Sequence, residues 1–477
     1  MATVLEDAKK FNWQPQPQAA ALLHEIVDDF LKRCPAAANL ARHMRSDAGT
    51  RFFDWIDFIQ APRSSGDLRA RLQKVGFTRK PVPGEPDCFV HEGAIFPTVV
   101  LDPSADTCVG IKVDSVVDFL AACHITDEHE IFGDPLAAMR KARVFEGDKA
   151  ELWVIERHGY RGFAVPRIDP DLAVLILRHQ EAFRRRTRDW DDDELGFDHV
   201  HYLVDAAVKD IGKDYACDLF FAAEREYWQR RNRAAQVQKA RQDRLGLGWA
   251  NHDHHTYRSS RQCFKRLIAL FEKIGFKCRE RFYAGAEAGW GAQVLEQAVT
   301  GITIFADVDL SDEEIKGDFA HDGLAPRKEL GTVGLWCGLH GEAALQAGMH
   351  HLECQFDFNS LKDQLEAASI RTMDPFTNFP FLTQAFTEGE RWPVQDRRIQ
   401  RLVEQGYITA AQAHWFRMQG GAIGSHLENL ERNDGFKGFN QHGVSQIIAK
   451  TDPRKQGKPD AASKSTLPSP IAELIGA

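Results

Sequence analysis

Polar and apolar residues alternate along several short segments in the C-terminal half of the chain. In the segment 351–358 (HLECQFDF), His351, Glu353 and Gln355 occupy alternate positions, and apolar residues or cysteine lie between them. A period of two predicts a β-strand with one polar and one apolar face. We therefore expect these three side chains to line one face of a sheet whose other face packs against helices.

The elements of this half follow a regular order. The pattern predicts strand, helix, three strands, then strand, helix and a late strand, over 254–258, 261–274, 277–283, 291–297, 302–308, 351–358, 361–368 and 425–432. This order describes a βαβββ unit followed by a second one with a long insertion over 375–420. Two such units are expected to wrap a cupped sheet whose concave face holds a small-molecule site.

The N-terminal half carries a second copy of the pattern. DWIDFI, KVGF and ELWVIERHGYRGF in the first copy correspond to DHHTYR, KIGF and HLENLERNDGFKGF in the second. The copies can be aligned on Gly76 and Gly275, on Ser115 and Ser360, and on their Glu-Arg pairs. That alignment sets Trp55 opposite His254, Asp106 opposite His351 and Trp153 opposite Glu428. The first copy is therefore expected to be a degenerate, metal-free repeat.

These patterns predict an α+β fold with two tandem βαβββ-module barrels and an intervening helical segment. The expected division is N-terminal helices over 1–48, the metal-free repeat domain over 49–167, the helical segment over 168–247, the metal-binding catalytic domain over 248–450 and a disordered tail over 451–477. Apolar residues at three-to-four spacing predict three helices in the helical segment, the last of them long and strongly charged.

Composition narrows the classes of partner. The 477 residues are 43% hydrophobic and carry a formal net charge of −9, which argues against nucleic acid or an anionic membrane as the main partner. The basic run RRNRAAQVQKAR is interpreted as a solvated helix face. Nine cysteines without a CxxC pair predict a cytoplasmic protein, and no apolar stretch is long enough to span a membrane. An exposed face of the 168–247 segment is expected either to pair subunits in a homodimer or to cover the two sheets.

Two histidines and one carboxylate are the candidate metal ligands. His254, His351 and Glu428 lie on three different predicted strands, and two imidazoles with one carboxylate are the ligand set of a mononuclear iron(II) oxygenase. Any single one of the 19 histidines is more often structural than a ligand, so the prediction depends on the three together. Glu353 and Glu431 remain rival carboxylates.

These segments resemble the vicinal-oxygen-chelate superfamily. DHHTYR, MHHLECQFDF and HLENLERNDGFKGFNQ are similar to the two histidine strands and the closing motif of 4-hydroxyphenylpyruvate dioxygenase, which also has a metal-free N-terminal copy. The resemblance implies that Glu428 is a ligand and Arg432 its companion, and that Phe436, Phe439 and Asn440 lie in the turn beside the site. The spacing of His254 and Arg258 resembles the 2-oxoadipate dioxygenase/decarboxylase family, where the arginine binds a substrate carboxylate.

The hypothesis is a non-haem iron(II)-dependent dioxygenase that oxidatively decarboxylates and hydroxylates a small carboxylate, expected to be a 2-oxo acid, with dioxygen as co-substrate. Arg258 would bind a carboxylate, Gln293 and Gln355 would orient substrate, and Phe436 and Phe439 would exclude water. A structural ion pair for Arg258 and core packing for the two phenylalanines remain equally open. The alternatives are a zinc, manganese or cobalt isomerase, lyase or hydrolase on the same scaffold, and a non-catalytic small-molecule binding protein.

Overall fold

The computed structural model describes residues 13–63, 67–80, 87–102, 106–125 and 130–440, together with Arg454. Apart from Arg454, the tail predicted over 451–477 lies outside these residues. Two helices come first, α1 (Pro17–Arg33) and α2 (Pro35–Ala48), each with proline in its first turn, where the missing N–H is not needed. Their apolar faces pack into the core of the sheet that follows.

The first sheet has eight strands built from two βαβββ units. The first unit consists of β1 (Ile56–Pro62), α3 (Leu68–Lys74), β2 (Thr78–Lys80), β3 (Asp87–Val90) and β4 (Thr98–Asp102). The second consists of β5 (Thr107–Lys112), α4 (Val116–Ala122), β6 (Ile131–Phe132), β7 (Met139–Gly147) and β8 (Ala150–Arg157). The strand order β2-β3-β4-β1-β5-β8-β7-β6 places the first strand of each unit at the centre, paired antiparallel.

Four helices link the two sheets: α5 (Pro170–Arg185), α6 (Asp193–Ile211), α7 (Lys213–Gln229) and α8 (Arg233–Asp243). The long charged helix expected at the end of this segment is wrong, because Asn232 accepts a hydrogen bond from the amide of Ala235 and starts α8 as a separate helix. Val174, Leu177 and Tyr202 are exposed on α5 and α6. None of the helices in the described residues combines the length and apolarity needed to cross a bilayer.

The second sheet repeats the plan with nine strands. Its first unit consists of β9 (His252–Arg258), α9 (Phe264–Lys273), β10 (Lys277–Tyr283), β11 (Trp290–Glu296) and β12 (Thr303–Asp309). After α10 (Thr332–His340), the second unit consists of β13 (His351–Gln355), α11 (Phe358–Ala367), β14 (Thr377–Phe379), β15 (Leu382–Phe386) and β17 (Ala422–Arg432). The strand order β10-β11-β12-β9-β13-β17-β15-β14 matches that of the first sheet. The predicted α+β class with two tandem βαβββ barrels is thus confirmed.

The insertion is shorter than the sequence suggested. β14 and β15 lie inside the range 375–420, yet both pair within the sheet and complete the second βαβββ unit. Only β16 (Glu390–Trp392), α12 (Asp396–Glu404) and α13 (Ala410–Met418) interrupt it, and α12 and α13 form a small apolar cluster with α10. Short strands of three to five residues carry too little periodicity to be recognised without their partners.

Strand register corrects the alignment of the two copies. Arg157 pairs with Asp57 at the end of the first sheet, as Arg432 pairs with Asp253 in the second, so His254 corresponds to Phe58 rather than to Trp55. Aligning the copies on Gly76 and Gly275, which follow these helices, misplaced the preceding strands because α9 has 10 residues and α3 has 7.

The second alignment anchor was also wrong. Ser115 is the N-cap of α4, whereas the N-cap of α11 is Asp357 and not Ser360. Strand register instead makes Cys108, rather than Asp106, the equivalent of His351, and keeps Trp153 as the equivalent of Glu428. Phe58, Cys108 and Trp153 belong to one apolar cluster, so the concave side of the first barrel is filled by carbon and sulfur where the second is polar.

The imidazole of His158 fastens the first barrel to α7. Its two ring nitrogens lie 2.8 Å from a carboxylate oxygen of Asp218 and 2.9 Å from one of Glu156. Burial alone would lower the pKa of His158, but the two carboxylates outweigh it and raise the pKa to about 10. A charged imidazole thus joins the two elements at neutral pH.

Raising the pH should remove this link. Because the folded-state pKa of His158 lies above the unfolded value near 6.5, its contribution to stability is complete below about pH 6.5 and is lost as the pH rises through about 10. We expect His158→Gln to lower the free energy of unfolding at pH 6 by on the order of 2 kcal/mol and to lower it much less at pH 10.5. Urea unfolding at both pH values measures this, with His43→Gln, an exposed imidazole paired with Asp47, as the control. Equal losses at both pH values would contradict the prediction.

Candidate metal centre

Three adjacent strands bring the candidate ligands together. β13 lies between β9 and β17, and the register sets Glu353 opposite both His254 and Glu428. One step along the same face, His351 lies opposite Thr256 and His426. His254 and His351 are each 8% exposed and Glu428 is 2% exposed, so the group lies within the barrel.

The ligand atoms converge on one point. Oε2 of Glu428 lies 3.1 Å from Nε2 of His351 and 3.8 Å from Nε2 of His254. Two neighbouring ligands each about 2.1 Å from a metal ion are separated by about 3.0 to 3.4 Å in octahedral or tetrahedral geometry. The distance from Glu428 to His351 lies in this range, the distance to His254 is longer, and all three ligand atoms lie within 4.8 Å of one another.

A pair of carboxylates fixes the other side of the His254 ring. Nδ1 of His254 lies 3.0 Å from an oxygen of Glu353 and 3.5 Å from one of Asp253. Arg432 in turn donates hydrogen bonds from both of its terminal nitrogens to the Asp253 carboxylate. A hydrogen bond from Nδ1–H to a carboxylate leaves the Nε2 lone pair free to face the metal.

Electrostatics distinguishes the two imidazoles. Burial lowers the pKa of His351 well below its usual value, helped by the charges of His254 and His426, so His351 is neutral, and its Nε2 lies 2.8 Å from the Thr256 hydroxyl. Burial alone would lower the pKa of His254 as well, but Glu353 and Asp253 raise it to about 9. Burial and then the charge of Glu353 raise the pKa of Glu428 well above the ordinary carboxyl range.

The donor set fits a divalent cation. Asp253, Glu353 and Glu428 are three carboxylates in one buried group, and among the described residues Arg432 is the only Lys or Arg that pairs with any of them. Burial is the largest cause of the raised pKa of Glu428, and the neighbouring carboxylates add to it. A dication between the two Nε2 atoms and Glu428 would offset this negative charge and keep the carboxylate ionised.

Two residues of this group were not assigned a role from the sequence. Nε2 of Gln384 on β15 donates a hydrogen bond to Glu353 over 2.8 Å and lies 3.4 Å from an oxygen of Glu428. Glu353 was considered only as a rival ligand; it contacts Nδ1 of His254, and with Asp253 and His254 it forms a second group that could hold a metal ion. Gln384 carried no signal in the sequence, because it lies within the range interpreted as an insertion.

Arg258 is buried two steps along β9 from Thr256. Its guanidinium lies 3.8 Å from the Asp307 carboxylate, and its charge lies over the ring of Trp336. Burial raises the pKa of Asp307 to about 7 even with Arg258 beside it. Arg258 is thus within a structural ion pair, the alternative that the sequence left open beside substrate binding.

The two predicted glutamines have different positions. Gln293 pairs with Ala306, which lies beside Tyr257 on the helix-facing side of the sheet, and its amide donates to the carbonyls of Glu280 and Val294. It therefore does not reach the metal cluster, because strand alternation turns it to the opposite face. Gln355 shares the face of His351 and lines a cavity next to the cluster.

The closing turn brings one aromatic residue to the site. The ring of Phe439 packs edge-on against Phe305 at 5.0 Å, and Phe305 lies 4.5 Å from the His254 ring. Phe436 instead packs with Leu382 and Leu430 in a small core. Asn440 lies within hydrogen-bonding distance of the Phe376 carbonyl and the Thr377 hydroxyl, away from the three ligands.

A cavity of about 1010 Å³ reaches the cluster from the side of the first barrel. Its lining includes His254, Glu353, Gln384, Phe305 and Phe439 from the second barrel, together with residues of the first. Neither His351, Glu428 nor Arg258 is among the described residues that line it, so a ligand in the cavity would meet His254 first.

A second histidine cluster lies deeper. Nε2 of His350 lies 3.3 Å from Nε2 of His426, and both rings are close to His351. The positive charge of Arg258 lowers the pKa of both His350 and His426, after the larger effect of burial. Because Arg258 is nearby and none of the three residues is a carboxylate, this cluster is a poorer site for a dication than the triad.

The buried pair of Arg432 and Asp253 should be essential for stability. Arg432→Met leaves the Asp253 carboxylate uncompensated beside Glu353, and we expect it to lower the free energy of unfolding by about 3 to 5 kcal/mol. Urea unfolding of the metal-free protein measures the loss. Arg417→Met, which breaks an exposed pair with Asp396, is the control and should cost less than about 1 kcal/mol. Similar losses in the two variants would contradict this account of the buried charge.

No family model matches the chain, and no curated protein matches it either. Several solved structures are similar to it. A triple mutant of 4-hydroxymandelate synthase from Streptomyces coelicolor is 12% identical over 72% of this chain and 97% of that chain, with a TM-score of 0.26. The YdcJ protein of Shigella flexneri, which includes the domain DUF1338, is 10% identical over 55% of this chain and 73% of its own, with a TM-score of 0.23. Methylmalonyl-CoA epimerase from Mycobacterium tuberculosis is 10% identical over 38% and 88%, with a TM-score of 0.22. At TM-scores this low, the fold assignment depends on the strand order of the chain itself.

Proposed function

We propose that this protein is a mononuclear non-haem iron(II) dioxygenase that acts on a small carboxylate, a 2-oxo acid. The observation that carries the proposal is the convergence of Nε2 of His254, Nε2 of His351 and Oε2 of Glu428 on one buried point. Two imidazoles and one carboxylate on one face leave the opposite positions for substrate and dioxygen. Iron(II) held there would supply the activation of dioxygen for oxidative decarboxylation.

The residues around the triad orient its side chains for metal binding. Asp253 and Glu353 hold the Nδ1 proton of His254, which keeps the imidazole in the tautomer that ligates through Nε2. Gln384 spans Glu353 and Glu428 and restrains both carboxylates. Because these groups are locked by the sheet, little reorganisation is needed when a metal binds.

The aromatic and polar lining of the cavity would then select and shield the substrate. Phe305 and Phe439 cover the cavity side of the His254 ring and limit water there. Gln355 lines the same cavity and is proposed to orient substrate. Arg258 remains the proposed partner of a substrate carboxylate, which would require that carboxylate to compete with Asp307.

A Lewis-acid reaction is the second candidate. The same ligand set binds zinc, manganese or cobalt, and Glu353 offers a carboxylate that lines the cavity next to His254. A general base in that position would suit an isomerase, lyase or hydrolase.

The cellular location and the oligomeric state are proposed from the cysteines and from the exposed surface. All nine cysteines are free thiols, which supports the proposed cytoplasmic location. Pairing of two copies through the exposed apolar residues of α5 and α6 remains a prediction.

The proposal predicts one metal ion per chain. Protein stripped with EDTA and titrated anaerobically with iron(II), and separately with zinc(II) and cobalt(II), should bind one equivalent by calorimetry. His351→Ala and Glu428→Gln should each weaken binding at least about 100-fold because they remove a ligand. His426→Ala should bind like the wild type, since it changes only the deeper histidine cluster. Loss of binding in His426→Ala alone would place the metal in that cluster instead, and no binding in the wild type would favour a non-catalytic binding protein.

Activity separates the two enzyme classes. Iron(II)-loaded protein in air should consume dioxygen and release carbon dioxide in equal amounts with at least one member of a panel of 2-oxo acids. His351→Ala should reduce that rate by at least about 1000-fold, since the iron would no longer be held in the site. The zinc-loaded wild type is the matched control and should not consume oxygen. Tight zinc binding with no oxygen uptake by the iron form on any 2-oxo acid would favour the Lewis-acid alternative.

A further inference from the structure

The cavity beside the metal centre is lined by charged residues from both barrels, and nearly all of its cations are already paired. Arg51 pairs with Asp54, Arg157 with Asp57, Arg432 with Asp253, Lys80 with Glu92, and both Arg279 and Lys437 with Glu296. Two cations in the lining form no ion pair with a described residue: Lys112 and Arg161. Both belong to the first, metal-free barrel.

Lys112 is the last residue of β5 and is half-buried in the cavity wall. The carboxylates whose charges act on it most strongly are Asp218 and Asp57. Each of these is already engaged, Asp218 by the His158 imidazole at 2.8 Å and Asp57 by the Arg157 guanidinium at 2.7 Å. The Lys112 ammonium is therefore left with three donors and no acceptor among the described residues.

Arg161 lies in the turn that follows β8. Nε of Arg161 donates a hydrogen bond to the Val299 carbonyl over 3.2 Å, which anchors the side chain against the loop between β11 and β12. The terminal nitrogens of the guanidinium form no ion pair with a described residue, and the side chain is exposed to the cavity. A guanidinium fixed at Nε and open at its other end is arranged to bind an anion.

The internal repeat shows that these cations replace different groups in the second barrel. By strand register, Lys112 corresponds to Gln355, and by the glycine and phenylalanine of the closing turn, Arg161 corresponds to Lys437. In the second barrel, Gln355 is uncharged and Lys437 is paired with Glu296. Among the described cations that line the cavity, the two without an ion pair thus both belong to the first barrel.

We propose that the metal-free barrel supplies an anion-binding subsite, formed by Lys112 and Arg161, for a carboxylate or phosphate group of the ligand that occupies the cavity. Burial lowers the pKa of Lys112, and a bound anion would offset that effect. That this ligand is the substrate, with its reacting end at the metal centre, rests on the proposed function. The binding of an anion does not.

Calorimetry on the metal-free protein tests the subsite directly. The full chain, stripped with EDTA and held at pH 7 and low ionic strength, is titrated with glutarate and separately with inorganic phosphate. We expect one of the two probes to bind saturably to one site, and the tighter one identifies whether a carboxylate or a phosphate suits the site. Lys112→Met and Arg161→Gln should each weaken that binding at least about tenfold, while Lys112→Arg and Arg161→Lys should retain most of it.

Lys80→Met is the matched control, because Lys80 lines the same cavity but pairs with Glu92 at 3.0 Å. It should bind the probe like the wild type. Absence of saturable binding of either probe, wild-type binding by a folded Arg161→Gln, or equal weakening in Lys80→Met would overturn the proposal. Should Lys112→Met fail to fold, the exposed Arg161 carries the test, with folding checked by thermal denaturation. Both subsite variants should bind metal like the wild type, so failure of the subsite and failure of the iron centre are measured separately.

Discussion

The structure of the second barrel depends on how it accommodates negative charge. Asp253, Glu353 and Glu428 lie on three neighbouring strands in an interior that would ordinarily exclude even one unpaired carboxylate. Arg432 forms an ion pair with Asp253. His254 contacts Glu353, and His351 contacts Glu428. A cation bound between His254, His351 and Glu428 would offset the remaining negative charge, and the surrounding sheet holds these three side chains in place.

The two barrels share one strand framework but differ in the side chains of their concave faces. Each closes with the same Asp-Arg ion pair at the end of its central strands, Asp57 with Arg157 and Asp253 with Arg432. The frame is therefore retained while its interior changes. In the first barrel Phe58 and its neighbours place apolar atoms on the concave side, at the positions of the candidate metal ligands of the second barrel.

The first barrel faces the candidate metal centre across the cavity. His254, Glu353 and Gln384 form one side, and side chains of the first barrel form the other. The helices α5 to α8 connect the two sheets, and the buried pairing of Glu224 with Arg186 and Arg188 secures this connection. The cavity is thus lined by both barrels, and the candidate metal ligands belong to the second.

The sequence by itself determined the strands, the repeat and the candidate ligands that the fold brings together. Period-two alternation depends only on neighbours in the chain, so it correctly placed His351 and Glu353 on one face, and the repeated motifs marked His254 and Glu428. Tertiary structure decided the rest. Strand register is set by pairing between segments about 70 to 100 residues apart, and no local pattern reports it. For that reason the sequence mismatched Trp55 and Asp106, proposed a substrate contact for Gln293, which lies on the opposite face, and gave no role to Gln384, whose amide reaches the site only because β15 pairs with β17.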